Sequence, residues 1–196
     1  MGRKPVYDED RLLDTARELA AEGGPAAVTM AAVARRAGAP SGSVYHRFPD
    51  RPALLAALWL RSVTQFQAGF LIALDSEPGS AGLVAAARHV VSWCRDNPAD
   101  ATVLLWGAES FGRPDWSATA SEALATANGR VFAALHAAAR GVGAANDDDV
   151  DFVELAVVEV PYAIVRRRLR SGETLPAGAE DTAAEAARAL LDRIES

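Results

Sequence analysis

The chain has 196 residues, half of them hydrophobic and 23% charged, with one cysteine and a formal net charge of −6. That length supports one large or two small buried cores, and the lone Cys94 excludes an internal disulfide and a zinc cluster. No apolar run exceeds Ala53–Leu60, too short for a bilayer, and the start Met1-Gly2-Arg3-Lys4 is neither a secretory leader nor, with Val6 where Ser or Thr is required, a myristoylation signal, so a cytoplasmic protein is expected.

Abundant alanine and few alternating β-branched runs favour an all-α chain. Residues 1–7 hold Arg3 and Lys4; they read equally as an arm for a DNA backbone or minor groove and as a charged terminus. A first helix is predicted over Asp8–Glu22, with Leu12, Leu13, Ala16, Leu19 and Ala20 on one face and Gly23-Gly24 ending it.

The segment Thr29–Phe48, TMAAVARRAGAPSGSVYHRF, carries two short helical patterns around Gly38-Ala39-Pro40. Thr29 suits an N-cap, and Val28 and Val33 occupy the staple positions that flank it. Val33 and Ala37 form an apolar seam, while Arg35 and Arg36 turn toward solvent or phosphate. Gly38 suits a left-handed helix end and Pro40 the first turn of the next helix. In that helix Ser41, Gly42 and Ser43 are too small and polar to fill a core, Val44 and Phe48 point inward, and Tyr45, His46 and Arg47 point outward. Small polar residues followed by Tyr, His and Arg suit a surface that meets base edges and phosphates. The layout is a helix-turn-helix, although an ordinary helical hairpin shares much of the pattern.

A fourth helix is predicted from the Asp50 N-cap to about Leu74, with Leu55, Trp59, Val63, Phe66 and Phe70 recurring every three to four residues. The fifth and sixth read as a hairpin: a stripe of Leu83, Ala87, Val90, Val91 and Cys94, a break at Asn97-Pro98, then Ala101, Leu104, Leu105 and Ala108 up to Gly112-Arg113-Pro114. A seventh covers Ser117–Arg140. The eighth opens at Asp147, Asp148 and Asp149 and closes at Arg166, Arg167, Arg168 and Arg170, charges that match the helix dipole. Its middle is apolar nearly all round, so it needs cover on a second side, and Pro161 should bend it. The ninth spans about Asp181–Ile194.

From Leu12 to Leu55 the chain resembles the DNA-binding domain of the tetracycline-repressor (TetR-like) family of bacterial transcriptional regulators. The matching pieces are LLDTARELAAEGG, TMAAVARRAG and SGSVYHRFPDRPALL; one departure is Pro40, where the family often has a Ser or Thr cap. The resemblance implies an all-α fold with a three-helix DNA-binding domain at residues 1–52 and a larger effector-binding and dimerisation domain at 53–196. It implies a homodimer through the last two long helices, a double-stranded DNA operator, and a mostly apolar small-molecule effector. The expected function is a ligand-responsive regulator, most often a repressor, with helix four as lever between ligand and DNA.

For DNA, the expected contacts are Thr29, Ser41, Gly42, Ser43, Tyr45, His46, Arg47 and Arg51, the last two on the backbone. For the effector, the candidates are the large residues Trp59, Phe66, Phe70, Trp93, Trp106, Phe132 and Tyr162, with Glu109, His136 and Glu159 as polar partners. For any one of the aromatics, ordinary core packing is the simpler reading. Cys94 reads as a buried small hydrophobe. The net charge is compatible with DNA, because residues 1–52 carry eight basic and seven acidic side chains while the excess acid lies in 53–196. The alternatives are an all-helical enzyme and an interaction protein with a vestigial helix-turn-helix. Neither has a positive signal: no nucleophile–base pair, paired carboxylates, catalytic residue, metal cluster or cofactor motif is evident.

Overall fold

The computed structural model describes residues 8–194; the arm residues Arg3 and Lys4 lie outside the described residues. The described residues form helices and turns with no strand, as composition predicts. The chain divides into two compact units, Met1–Val63 with Ala99–Leu124, and Thr64–Pro98 with Ala125–Ser196.

In the first unit, helix α1 covers Glu9–Ala27. The Arg11 backbone N–H donates to Asp8 Oδ1 at 3.0 Å, which fixes the start. Gly23 and Gly24 leave the helical backbone, so the regular helix stops where expected and a short turn with Pro25 is appended. Helix α2, Met30–Ala37, begins with the Ala32 N–H donating to Thr29 Oγ1 at 3.1 Å. It ends at Gly38, whose φ of 64° is the left-handed conformation that glycine adopts without strain. Helix α3, Ser41–Arg47, has no side-chain cap because Pro40 offers none; the Ser43 N–H closes its first turn on the Pro40 carbonyl at 2.9 Å. Helix α4, Arg51–Leu74, starts with the Ala53 N–H on Asp50 Oδ1 at 2.8 Å.

Leu12, Val33, Val44, Leu54 and Leu58 from these four helices, with Phe48 just after α3, are all buried in one cluster. Each such side chain contributes about 1.5–3 kcal/mol of hydrophobic stabilisation, so the core and not the short α3 itself holds α3 helical.

Residues 99–124 depart from the expected hairpin. Helix α5, Ser80–Asp96, packs in the second unit, whereas α6, Pro98–Leu105, packs in the first. Val103, Phe111 and Trp116 join the core of the first unit. Gly107, at φ 76°, interrupts what reads in sequence as one helix and leaves a single turn, α7, over Gly107–Ser110. The α6 segment is drawn to the first unit by a polar tie that helical periodicity does not register: Asp100, only 2% exposed, receives a hydrogen bond from Arg17 of α1.

The second unit contains α5, most of α8 (Ala118–Gly141), α9 (Asp147–Glu154), α10 (Val160–Ser171) and α11 (Ala179–Leu191). Leu83, Ala87 and Val90 of α5 bury with Ala184, Ala187 and Leu191 of α11. Arg95 ties α5 to the start of α11 through Glu180 at 2.5 Å and through the Leu175 and Pro176 carbonyls. Gly82 seats α5 on the preceding turn: a Cβ there would stand 2.3 Å from the Leu74 carbonyl oxygen and 2.4 Å from that of Glu77.

The bend expected at Pro161 takes a specific form. Leu155–Glu159 is a π-helical stretch between α9 and α10, and the Val160 N–H reaches back to Leu155. Proline cannot donate an N–H and its ring crowds the carbonyl four residues earlier, and the wider turn accommodates both. Among the described residues no helix is long and apolar enough to cross a membrane.

Candidate nucleic-acid interface

Helix α3 sorts its residues by face. Val44 is fully buried and Phe48 is 3% exposed, both in the core of the first unit. Ser41, Gly42, Tyr45, His46 and Arg47 are exposed and Ser43 is half-buried. Tyr45 is 56% exposed, an unusual position for a tyrosine on a seven-residue helix unless something else covers it. A Cβ at Gly42 would meet nothing within 4 Å, so this face is open to close approach. The Tyr45, His46 and Arg47 side chains have no partner among the described residues, leaving their donors available.

Around α3 the other expected contacts are placed as follows. Thr29 is exposed and its hydroxyl caps α2, so its remaining hydrogen-bonding capacity faces outward. Arg51 is half-buried and donates from Nε to the Val28 carbonyl at 2.8 Å and from Nη2 to the Pro25 carbonyl at 2.7 Å. It braces the turn after α1 and holds the Thr29 end of α2 in place. On α2, Arg36 is drawn into a bidentate pair with Glu22 at 3.0 and 2.7 Å. Each partner stabilises the other's charged form, lowering the Glu22 pKa and raising that of Arg36, chiefly through these hydrogen bonds. Arg35, by contrast, is exposed and has no side-chain partner among the described residues.

The seven aromatic effector candidates do not share one environment. Phe66, Phe70 and Trp93 come together in the second unit, with Phe66 5.3 Å from Trp93 and 6.1 Å from Phe70 between ring centroids. His89 joins them: its Nε2 lies 3.1 Å from the Phe66 carbonyl, and burial lowers its pKa. Nearby in sequence, the buried Gln67 donates to Asn128 Oδ1 at 2.8 Å, a polar pair the sequence reading did not single out. Tyr162 is half-buried beneath the Arg166 guanidinium, 5.8 Å from its ring centroid, and burial raises its pKa. Phe132 is 57% exposed, and its ring lies 3.8 Å from that of His136 between centroids, tilted by 41°.

Trp59 and Trp106 belong to the first unit. Trp59 is packed on Phe111 at 5.6 Å, and its buried indole N–H has no partner among the described residues. Trp106 is half-exposed and lies against Gly24. Glu109 pairs with Arg113 at 3.3 Å and Glu159 is exposed. A groove of about 500 Å³ in the second unit is lined by Leu71, Leu74, Asp75, Pro78 and residues of α8, and none of the seven aromatics lines it. Cys94 is buried and its thiol pKa is pushed up to about 12 by that burial.

The sequence model described as bacterial regulatory proteins, tetR family, matches residues 12–58, the stretch that holds this geometry. Curated protein sequences contain no match. Solved structures with the same fold include a TetR family transcription regulator from Marinobacter aquaeolei VT8, 18% identical, with 92% of this chain and 93% of that chain covered and a TM-score of 0.72. The fatty acid degradation regulator FadR from Bacillus halodurans is 14% identical, with 94% and 98% covered and a TM-score of 0.72. The TetR family transcriptional regulator PfmR from Thermus thermophilus is 20% identical, with 94% and 96% covered and a TM-score of 0.71. Residues 12–58 therefore carry the helix-turn-helix domain of the tetR family of bacterial regulatory proteins, in a chain whose fold throughout is that of TetR-family regulators.

Proposed function

We propose that this protein is a DNA-binding transcriptional regulator that inserts α3 into the major groove. One observation carries the reading: α3 buries Val44 and Phe48 and turns Tyr45, His46 and Arg47 outward with no partner of their own. Polar side chains exposed on a helix braced from beneath can meet base edges without disturbing the core. Ser41, Gly42 and Ser43 allow close approach of the helix start, where backbone N–H groups favour phosphate. Thr29, Arg35 and Arg47 supply backbone contacts, and Arg51 orients the α1–α2 turn for them.

The protein acts as a cytoplasmic homodimer through its last two long helices and binds a palindromic operator as a repressor. Residues 1–52 form the DNA-binding part and 53–196 the effector-binding and dimerisation part. Supporting the dimer, α10 and the preceding π-helical stretch leave Leu155 43% exposed and Val158 and Ile164 half-buried, apolar surface that a second copy would cover. A mostly apolar small molecule meets Phe66, Phe70, Trp93 and Tyr162. Its binding shifts α4, which contributes residues to both compact units, and so alters the spacing of the two reading heads. Half-sites lie about one helical turn apart, roughly 34–36 Å, so a small shift lowers operator affinity.

The test is binding of the purified protein to labelled DNA from upstream of its own gene against scrambled DNA, across a salt series. Tight binding to one segment, weakening steeply with salt, supports the regulator. Equal weak binding to every duplex, including those recovered by selection from random sequence, refutes it.

A further inference from the structure

Helix α1 is held from outside the helix-turn-helix at points spread along its length. At its start, Arg61 of α4 reaches Asp14 at 3.1 Å and the Asp10 carbonyl at 3.3 Å. In its middle, Arg17 donates from Nη1 to Asp100 Oδ2 of α6 at 3.2 Å. Asp100 is 2% exposed, and its other oxygen accepts from the fully buried Ser62 of α4 at 2.6 Å. At its end, the Trp106 ring sits over Gly24, where a Cβ would stand 2.8 Å from Cζ2. The contact at Arg17 is with Asp100 and the later one at Gly24 is with the later residue Trp106, so the two points follow one another in the same order along both segments.

We propose that Asp100 and Trp106 are positioning residues for DNA recognition: from residues 98–106 they clamp α1 at two points and thereby fix the orientation of the recognition helix α3. The inference rests on the regulator reading above. Its physical basis is the difference between apolar and polar contacts. Leucine and alanine surfaces slide and repack at small cost, whereas a buried carboxylate whose two oxygens accept from Arg17 and Ser62 keeps both bonds only in a narrow range of geometry. A buried ion pair is a poor way to add stability, since an apolar replacement of similar volume serves as well; what it adds is register. Trp106 supplies the second point and prevents rotation about the first. Its ring is half-exposed although the core of the first unit holds Phe111 and Trp116 nearby in sequence, so its place is set by the contact with Gly24 and not by burial. Clamped in this way, α1 carries α2 and α3 with it, because Val33, Val44 and Leu12 share one core.

The experiment uses the full-length protein and the variants Asp100→Asn and Trp106→Ala. Affinity is measured for the selected operator, for the same operator with one base pair inserted between its half-sites, and for scrambled DNA, together with the melting temperature. The expected result is a loss of operator affinity of roughly 10- to 150-fold, the range that follows from one lost hydrogen bond to a charged group. Discrimination between the native and the inserted spacing narrows, while affinity for scrambled DNA is unchanged. A residue that merely stabilises the fold would not alter the preference for spacing. Unchanged operator affinity and unchanged spacing preference in both variants overturn the clamp, as does an equal loss on operator and scrambled DNA that tracks melting. If Asp100→Asn does not fold, Trp106→Ala, a change at a half-exposed ring, decides alone. Failure of the unmodified protein to prefer any sequence overturns the regulator reading, and the clamp with it; specific binding by the unmodified protein with indifferent variants removes the clamp alone.

Discussion

Truncation of Tyr45 separates recognition from folding. The side chain is 56% exposed, makes no contact that the core needs, and sits one residue after the fully buried Val44. Surface changes of this kind usually alter stability by less than about 0.5 kcal/mol, and alanine is the better helix former. Tyr45→Ala should therefore melt within a few degrees of the unmodified protein. Its cost falls on DNA. A base contact discriminates by about 1–3 kcal/mol, and a symmetric dimer loses it twice. The expected loss is about 2–6 kcal/mol, or roughly 30-fold to 20,000-fold in operator affinity. Binding to scrambled DNA, which depends on phosphates, should stay the same. Val44→Ala is the control with the opposite signature: it should cost about 2 kcal/mol of stability, since two methyl groups leave a packed core, and keep sequence preference at temperatures where it remains folded. Fluorescence anisotropy on labelled duplexes and thermal melting measure both. Unchanged operator affinity in a natively folded Tyr45→Ala would refute the assignment of α3 as the reading helix.

Three further outcomes follow from the packing of the second unit. Gly82→Ala should destabilise by about 3 kcal/mol, because its Cβ meets two backbone carbonyls that cannot move aside cheaply; a melting curve close to that of the unmodified protein would show that the end of α4 yields. Burial lowers the His89 pKa, so the folded state resists a proton that the unfolded chain accepts below about pH 6.5. Stability is therefore fully present above that pH and declines as pH falls toward the folded value; His89→Gln should flatten this part of the curve, and an identical pH dependence in the variant would assign it elsewhere. Cys94, with its thiol pKa pushed up to about 12, should react with a thiol reagent at neutral pH only on unfolding; rapid modification of the native protein would contradict its burial.

Much of the helix-turn-helix was legible in the sequence because its signals are local. The Thr29 cap, the Gly38 terminus, the inward pair Val44 and Phe48, and the Asp50 cap each depend on residues within one turn, and each appears in the structure as read. The breaks at Asn97-Pro98 and Gly112-Arg113-Pro114 were legible for the same reason, whereas the interruption at Gly107 was not. The assignment of residues 99–124 was not. In PADATVLL the single acid looks like a solvated residue at a helix start; its partner Arg17 lies 83 residues away, a separation that periodicity does not register. An acid set in an apolar run was the available hint. Arg51 likewise reads as a phosphate contact from its position, but its guanidinium meets the carbonyls of Pro25 and Val28, which only the folded turn brings to it. The aromatic candidates share one composition signal, yet Trp59 and Trp106 pack in the first unit and Phe66, Phe70 and Trp93 in the second. Side-chain type states what can fill a pocket, and topology decides which side chains meet.

The most direct test of the central claim is selection of duplexes from a random-sequence pool by the unmodified full-length protein, read alongside the same selection with Tyr45→Ala. The account predicts an inverted repeat with half-site centres about one helical turn apart, enriched by the unmodified protein and lost or changed at the α3-contacted bases with the variant. No enriched motif, or the same motif enriched equally by both proteins, would contradict it.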